Sequence, residues 1–434
     1  MVTEPREEVR WSPPTRIAFR FFFSYFVLLF VSEGASGLIP DSLVQKYYAL
    51  WLPLLQWIAG HVLHLDEKLT LEEAGINNMA FGWVLFLCYM VLTVVATALW
   101  SALDRKRQSY ERLYSWLRLL LRLMLAPILI FYGAIKVIPS QMISPLPVGV
   151  LGMRIGDLFP NHLLWWTVGA SSPFETFIGA AELVGGVLLL IPRTVLLGAL
   201  LSAGNMVTVF LLNMCYDVPV KLISLHFVIM ALLLIAPDAP RLAGVFLFNR
   251  RVEPVRIKPL FARQWLDRAP HVALLLFGLW SMRGSFQHAA DMYKQFHPPR
   301  PPLYGFWSVE ELDVDGREVP LPTPDRWRWV MILKPGSLSV QRMDGSWTGY
   351  KLALDRKLKT LRLWKSKLKP GDIVRNVQGR PEAELAFQRP GPDLLLLEGQ
   401  LDGHPARARL RKAALAGGGF HWIAEPAGAS SIWK

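Results

Sequence analysis

Cysteine is nearly absent from this chain. Cys88 and Cys215 are the only two in 434 residues, one inside an apolar run and one at the end of another. That excludes a disulfide framework and a CxxC redox centre, so any thiol chemistry would need a second protein or a small molecule. HExxH, a Cys/His cluster at metal-ligand spacing, GxGxxG and GxxxxGKS/T are all missing as well. His61 and His64 are read as surface groups, and no metal site is expected. Charge is scarce too: 19% of residues are charged and 52% are apolar, where soluble domains carry roughly 25% charge. The net charge of +13 falls mostly in short loops, where it orients membrane spans, so nucleic acid is not expected as a partner. No signal peptide is expected. The N-terminus is polar and acidic, and no small-residue cleavage site follows the first apolar run, which is therefore read as a retained anchor.

What is present is a series of apolar runs near the ~20 residues that cross a bilayer. They cover about Ile17–Val31, Met79–Trp100, Leu117–Ile138, Phe174–Ile191, Val195–Met214 and Leu222–Ala236. A seventh, HVALLLFGLWSM, is short and crosses only if Arg283 snorkels. Basic connections, among them DRKRQSYERLYSWLR and Arg241–Arg268, alternate with acidic or neutral ones. Positive loops face the cytoplasm. The expectation is a multi-pass protein of a bacterial inner membrane, with about seven spans, residues 1–16 cytoplasmic and the C-terminal part outside. Between the first two spans (17–116), SLVQKYYALWLPLLQWIAGHVLHL is read as an interfacial helix or, because of Pro53, a re-entrant pair.

Ionisable residues inside the apolar runs are the candidate functional set. A charge in hydrocarbon costs about 2.5–3.5 kcal/mol on insertion scales, so it is kept where it is paired or used. Glu175 and Glu182 are seven apart and share a helix face, beside Gly179, Gly185 and Gly186, small residues that let helices approach. Lys136 ends the preceding span, in YGAIKVIPS. Asn205 and Asn213 share a face of the fifth span, as interhelical glue or as ligand contacts. Asp217 and Lys221 are placed to pair across CYDVPVK, either fixing the turn or holding an anionic or quinone-like head group. His226 lies about a turn and a half deeper, where an imidazole can pass a proton. The expected arrangement is one outward-facing pocket. Lys136, Glu182 and His226 are its catalytic candidates, and Glu175, Asn205, Asn213, Asp217 and Lys221 its ligand-binding candidates.

After the last apolar run (250–297 with its basic loop), PPRPP (298–302) is a stiff linker. From Leu303 the pattern changes to short alternating runs, separated by Asp344-Gly345 and Asp402-Gly403, which read as hairpins. Residues 303–434 are expected to form a small antiparallel β-barrel or sandwich. Trp307, Trp327, Trp329 and Trp347 belong to its core or rim, and a Gly-rich tail is mobile or lies over a barrel mouth.

The stretches AAELVGGVLLLIPRTVLLGALL and YGAIKVIP resemble the DoxX-like family of bacterial membrane proteins, over about Leu117 to Asn249. Asn213 to Asp238 reads almost word for word as the NxCYDVPVKLxSLHxxxMALxLxAPD block of its longer members. FHWIAEP resembles their FHWINE ending, although Ala-Gly-Ala-Ser-Ser follows here where they continue toward Tyr-Pro-Phe-Asn-Arg. The resemblance implies a four-helix core in 117–249 and an association with membrane redox, including the small membrane subunits of a thiosulfate:quinone oxidoreductase. A quinone is the cofactor it implies. Membrane lipids, a small lipophilic molecule and a soluble redox partner are the expected partners. A non-enzymatic scaffold or lipid-binding protein, acting through the β domain, is the alternative.

Overall fold

The computed structural model describes residues 10–33, 39–66, 68–75, 79–142, 156, 158–253, 259–366 and 380–413. The Gly-rich tail lies outside them. The chain forms two compact units, Met1–Ile138 with Glu175–Ala290, and Pro139–Phe174 with Asp291–Lys434.

The first unit is helical: α1 (Pro13–Glu33), α2 (Asp41–His61), α3 (Ala80–Leu103), α4 (Glu111–Val137), α6 (Ser172–Leu190), α7 (Val195–Cys215), α8 (Lys221–Ile235), α9 (Ala239–Phe246) and most of α10 (Gln264–Phe296). The short α5 (Pro160–Gly169) belongs to the second unit. Among the described residues, six helices are long and apolar enough to cross a membrane. They are α1, α3, α4, α6, α7 and the run Lys221–Phe246 that joins α8 to α9. α3 shows why: it buries Phe81, Val84, Leu85, Cys88 and Tyr89, yet leaves Trp83, Val91, Val94 and Val95 exposed on its other faces. A helix apolar all round needs a solvent other than water.

Six helices meet this description among the described residues, where about seven spans were expected. The seventh run lies inside α10, which is 33 residues long but falls short of a span in apolarity. Arg283 interrupts its apolar stretch, and Asp267 and Arg268 sit near one end with Asp291 and Lys294 near the other. α10 instead packs through a stripe of buried residues, Leu274, Gly278, Ser285 and Ala289. The re-entrant alternative for the first connection is also replaced. α2 runs unbroken through Pro53, with Leu43, Leu50, Leu54 and Trp57 exposed.

Buried arginines close the helix ends at the N-terminal half of α4. The last carbonyls of a helix have no intrahelical partner. Arg122 donates to Leu189 O (2.7 Å) and Leu190 O (2.9 Å) at the end of α6, and Arg118 and Tyr114 reach Leu234 O and Leu233 O at the end of α8. On α1, Arg20 donates to Tyr110 Oη, Ser101 Oγ and the Asp104 carbonyl. These contacts orient α8 antiparallel to α4 and tie α1 to the α3–α4 connection.

In the second unit, β1 (Gly305–Val314), β2 (Arg317–Glu318), β3 (Trp327–Ile332), β4 (Ser337–Arg342), β5 (Trp347–Asp355), β6 (Thr360–Ser366), β7 (Ala383–Gly391), β8 (Leu394–Leu401) and β9 (His404–Lys412) form one antiparallel sheet. It closes because β9 pairs back onto β1, Trp307 opposite Lys412 and Val314 opposite Ala406. With β2 only an appendage of β1, this is an eight-stranded barrel, and closure removes the sheet edges that would invite aggregation. The expected hairpin turns are present: Asp402 and Gly403 both have positive φ (52° and 88°), as a tight two-residue hairpin requires. Alternate residues point inward and fill the interior, among them Trp307, Val330, Val340, Leu363, Leu395 and Leu410. Trp327 joins them, whereas Trp329 stacks on Phe306 at 4.5 Å and packs with Trp347 in a separate cluster.

Candidate functional site

The centre of the helical unit is an ion pair. Lys136 lies in the last turn of α4, where a cation is favoured by the helix dipole, and Glu182 lies mid-way along α6. Lys136 Nζ donates to Glu182 Oε2 at 2.7 Å, with the side chains 9% and 1% exposed. Glycine makes this contact geometrically accessible. A Cβ on Gly179 would sit 2.5 Å from Lys136 Cβ, one on Gly133 2.7 Å from the Leu183 nitrogen, and one on Gly186 2.9 Å from the Ala126 carbonyl oxygen. α4 and α6 therefore touch backbone to backbone, and the pair bridges the gap. Glu182 Oε1 has no hydrogen-bond partner among the described residues. The Tyr132 ring lies 5.3 Å from Lys136 Nζ, one helical turn before it on the same face.

The other expected members do not join this pair. His226 is 1% exposed and bonded elsewhere: its Nδ1 is 2.6 Å from Leu222 O, and its Nε2 contacts Tyr25 Oη on α1. A carbonyl only accepts, so Nδ1 carries the hydrogen and Tyr25 donates to Nε2 of a neutral ring. The ring stacks on Tyr25 and meets Phe86 edge-on. Asp217 and Lys221 pair with one another, the Asp217 side chain 77% exposed. Asp217 adopts φ 52°, a left-handed conformation that Asp tolerates better than most residues, so this pair fixes the α7–α8 turn. Glu175 is buried in the first turn of α6, Asn213 is buried and Asn205 half-buried. The single pocket expected from common depth is thus replaced by a pair at α4–α6, a histidine anchor at α1–α8 and a turn clamp. Each helix turns its polar group toward a different neighbour.

A cleft of about 730 Å³ lies elsewhere, between α1, α4, α8 and α10. None of the expected site residues lines it. Its walls include Met124, Ile128, Phe131, Phe227, Met230 and Trp280, and its polar lining includes Glu33, Tyr132, Arg283, Gln287 and His288. Tyr132 thus borders the cleft and also covers Lys136. On the barrel, a surface depression of about 1370 Å³ is lined by Asp313, Glu382, Glu384, Glu398, Asp402, Arg380 and Arg407 among others. Pro381, Pro405 and Ala406 lie among these charged groups. The barrel interior is filled by side chains of the described residues.

A 142-residue stretch, 33% of the chain, is 34% identical to the uncharacterized protein YwoB of Bacillus subtilis (strain 168), covering 87% of that protein. The chain belongs to the YwoB family. No family model matches it, and no solved structure does. Membership with YwoB brings no named activity, so the chemistry has to come from the side chains. The sequence singled out Lys136 and Glu182. It missed Tyr25, Tyr132, Glu33 and His288. Tyr132 was legible as the residue four before Lys136 on one helix face. Tyr25 was not, since it meets His226 from 201 positions away.

Proposed function

We propose that this is a DoxX-like integral membrane protein that takes a lipophilic small molecule from the bilayer into the cleft between α1, α4, α8 and α10. The observation that carries the reading is the composition of that cleft. Apolar side chains from four helices form its walls, polar groups gather along part of its lining, and one of them, Tyr132, touches the buried Lys136–Glu182 pair. Small-molecule sites have this form: an apolar cavity with a few placed polar groups. An occupant pressing on Tyr132 would be felt at Lys136, so the pair can respond to binding without touching the ligand.

The redox association belongs to the same proposal, through the likeness to the DoxX-like family, with a quinone as one occupant of suitable character. Placement in a bacterial inner membrane, with the positive loops cytoplasmic, is the orientation we adopt.

The test is to purify the full chain from bacterial membranes and identify co-bound quinones and lipids by mass spectrometry, beside Gly284→Trp. Gly284 lines the cleft, and a Cβ there meets no atom within 4 Å, so a side chain can branch from this position into open space. The expected result is a lipophilic species retained by the unaltered chain and lost from the variant. Nothing retained by the unaltered chain, or the same species retained by both, overturns the reading.

A further inference from the structure

The salt bridge to Lys136 uses one of the two Glu182 oxygens. Lys136 donates to Oε2, and Oε1 is buried with no hydrogen-bond partner among the described residues. Two polar atoms on α7 share that condition, Ser202 Oγ and Asn205 Nδ2. Glu182 is 1% exposed and Ser202 0%. Native interiors leave very few such atoms unpaired.

Helix geometry brings the three to one place. α6 and α7 follow one another through a tight turn and run antiparallel. A Cβ on Gly185 would sit 2.9 Å from Ser202 Oγ, and one on Gly198 2.9 Å from Leu188 Cβ. Three residues beyond the Gly185–Ser202 contact, moving away from the turn on each helix, stand Glu182 and Asn205, opposite one another. Both also face inward. Asn205 is seven after Gly198, hence on the stripe of α7 that meets α6. Glu182 is three before Gly185, which faces α7, and four before Gly186, which faces Ala126 on α4. Its side chain therefore leaves α6 between the two neighbours. Oε2 takes the lysine of α4, which leaves Oε1 for the α7 side.

The donors and acceptors choose the ligand. A carboxylate oxygen only accepts, an amide nitrogen only donates, and a hydroxyl does both. A cation here would be repelled by the Lys136 ammonium and the Asn205 N–H groups, and an anion by Glu182. A neutral molecule that both donates and accepts satisfies all three atoms. It has to be small, because α6 and α7 already touch at Gly185 and Ser202. Water fits, and a buried water makes about three hydrogen bonds.

We propose that α6 and α7 hold a buried water beside the ion pair, donating to Glu182 Oε1, accepting from Asn205 Nδ2 and bonded to the Ser202 hydroxyl. Ser202 and Asn205 are then positioning residues that act on Glu182 through the water. Lys136 holds one carboxylate oxygen and the water the other, so a proton reaches or leaves Glu182 from the α7 side. Intramembrane carboxylates that relay protons are served in this way.

The test reads the full chain, reconstituted in lipid, by solid-state NMR, with carbon-13 at the glutamate carboxyl and nitrogen-15 in the lysine and asparagine side chains. Glu182 is recognised by its closeness to a lysine nitrogen, since Lys136–Glu182 is the one Lys–Glu ion pair among the described residues. Asn205 is recognised by the signal that Asn205→Leu removes. Magnetisation is expected to pass from water protons to both groups. Asn205→Leu is expected to abolish the transfer to Glu182 and to move its carboxyl shift, and Ser202→Ala to weaken the transfer to both. No transfer from water to either group overturns the proposal, as does a transfer to Glu182 that survives both variants. Magnetisation passing from the Asn205 amide to Glu182 with none from water shows a direct hydrogen bond and overturns it too. The unaltered chain decides alone if a variant fails to fold. None of these outcomes depends on an occupant of the cleft.

Discussion

Lys136 on α4 and Glu182 on α6 form a salt bridge at 2.7 Å, almost sealed from solvent. It bridges two helices that glycines hold in backbone contact. Taking two charges out of water is costly, and their attraction offsets that cost only while both are present.

Removing one partner therefore differs from removing both. Glu182→Gln and Lys136→Met are each expected to destabilise the protein by about 3–5 kcal/mol, because each leaves a buried charge unpaired. The double variant is expected to recover most of the loss. Thermal unfolding of the four proteins in one detergent measures it. A double variant as unstable as the sum of the singles would show that the two side chains do not act as a pair.

The ring nitrogens of His226 are expected to be unequal, with hydrogen on Nδ1 and a lone pair on Nε2, since Nδ1 faces the Leu222 carbonyl and Nε2 the Tyr25 hydroxyl. Nitrogen NMR of labelled histidine reads the tautomer directly. Tyr25→Phe leaves Nε2 without its donor, at an expected cost of about 1–3 kcal/mol. Hydrogen found on Nε2 would contradict the hydrogen-bond direction assigned here.

In the barrel, burial pushes the Tyr350 phenol from its ordinary 10.0 up to about 12. The folded state then keeps a proton that the unfolded chain releases. Stability from this group is complete below pH 10.0 and is lost as the pH rises toward about 12, since stability falls wherever the folded state binds more protons. Denaturant unfolding of the full chain across that window is expected to show a steeper alkaline loss than Tyr350→Phe shows. Identical slopes would mean that Tyr350 titrates normally.

By itself the sequence determined the class of this protein. Hydropathy, period-two alternation and Asp-Gly turns are local properties, so the apolar helices, the change to β structure near Leu303 and even the participation of Lys136 and Glu182 could be read along the chain. The local signal is weakest at α10, whose apolar run is cut by Arg283. Which polar side chains meet was settled by tertiary packing alone. Glycines at 133, 179 and 186 bring α4 against α6 and hand Lys136 to Glu182, while His226 on α8 turns to Tyr25 on a helix remote in sequence. The cleft shows the same dependence. Glu33, Tyr132 and Arg283 come from three separate helices, and no pattern within any one of them records that the three border a common space, because that depends on how the helices rotate about their own axes as they pack.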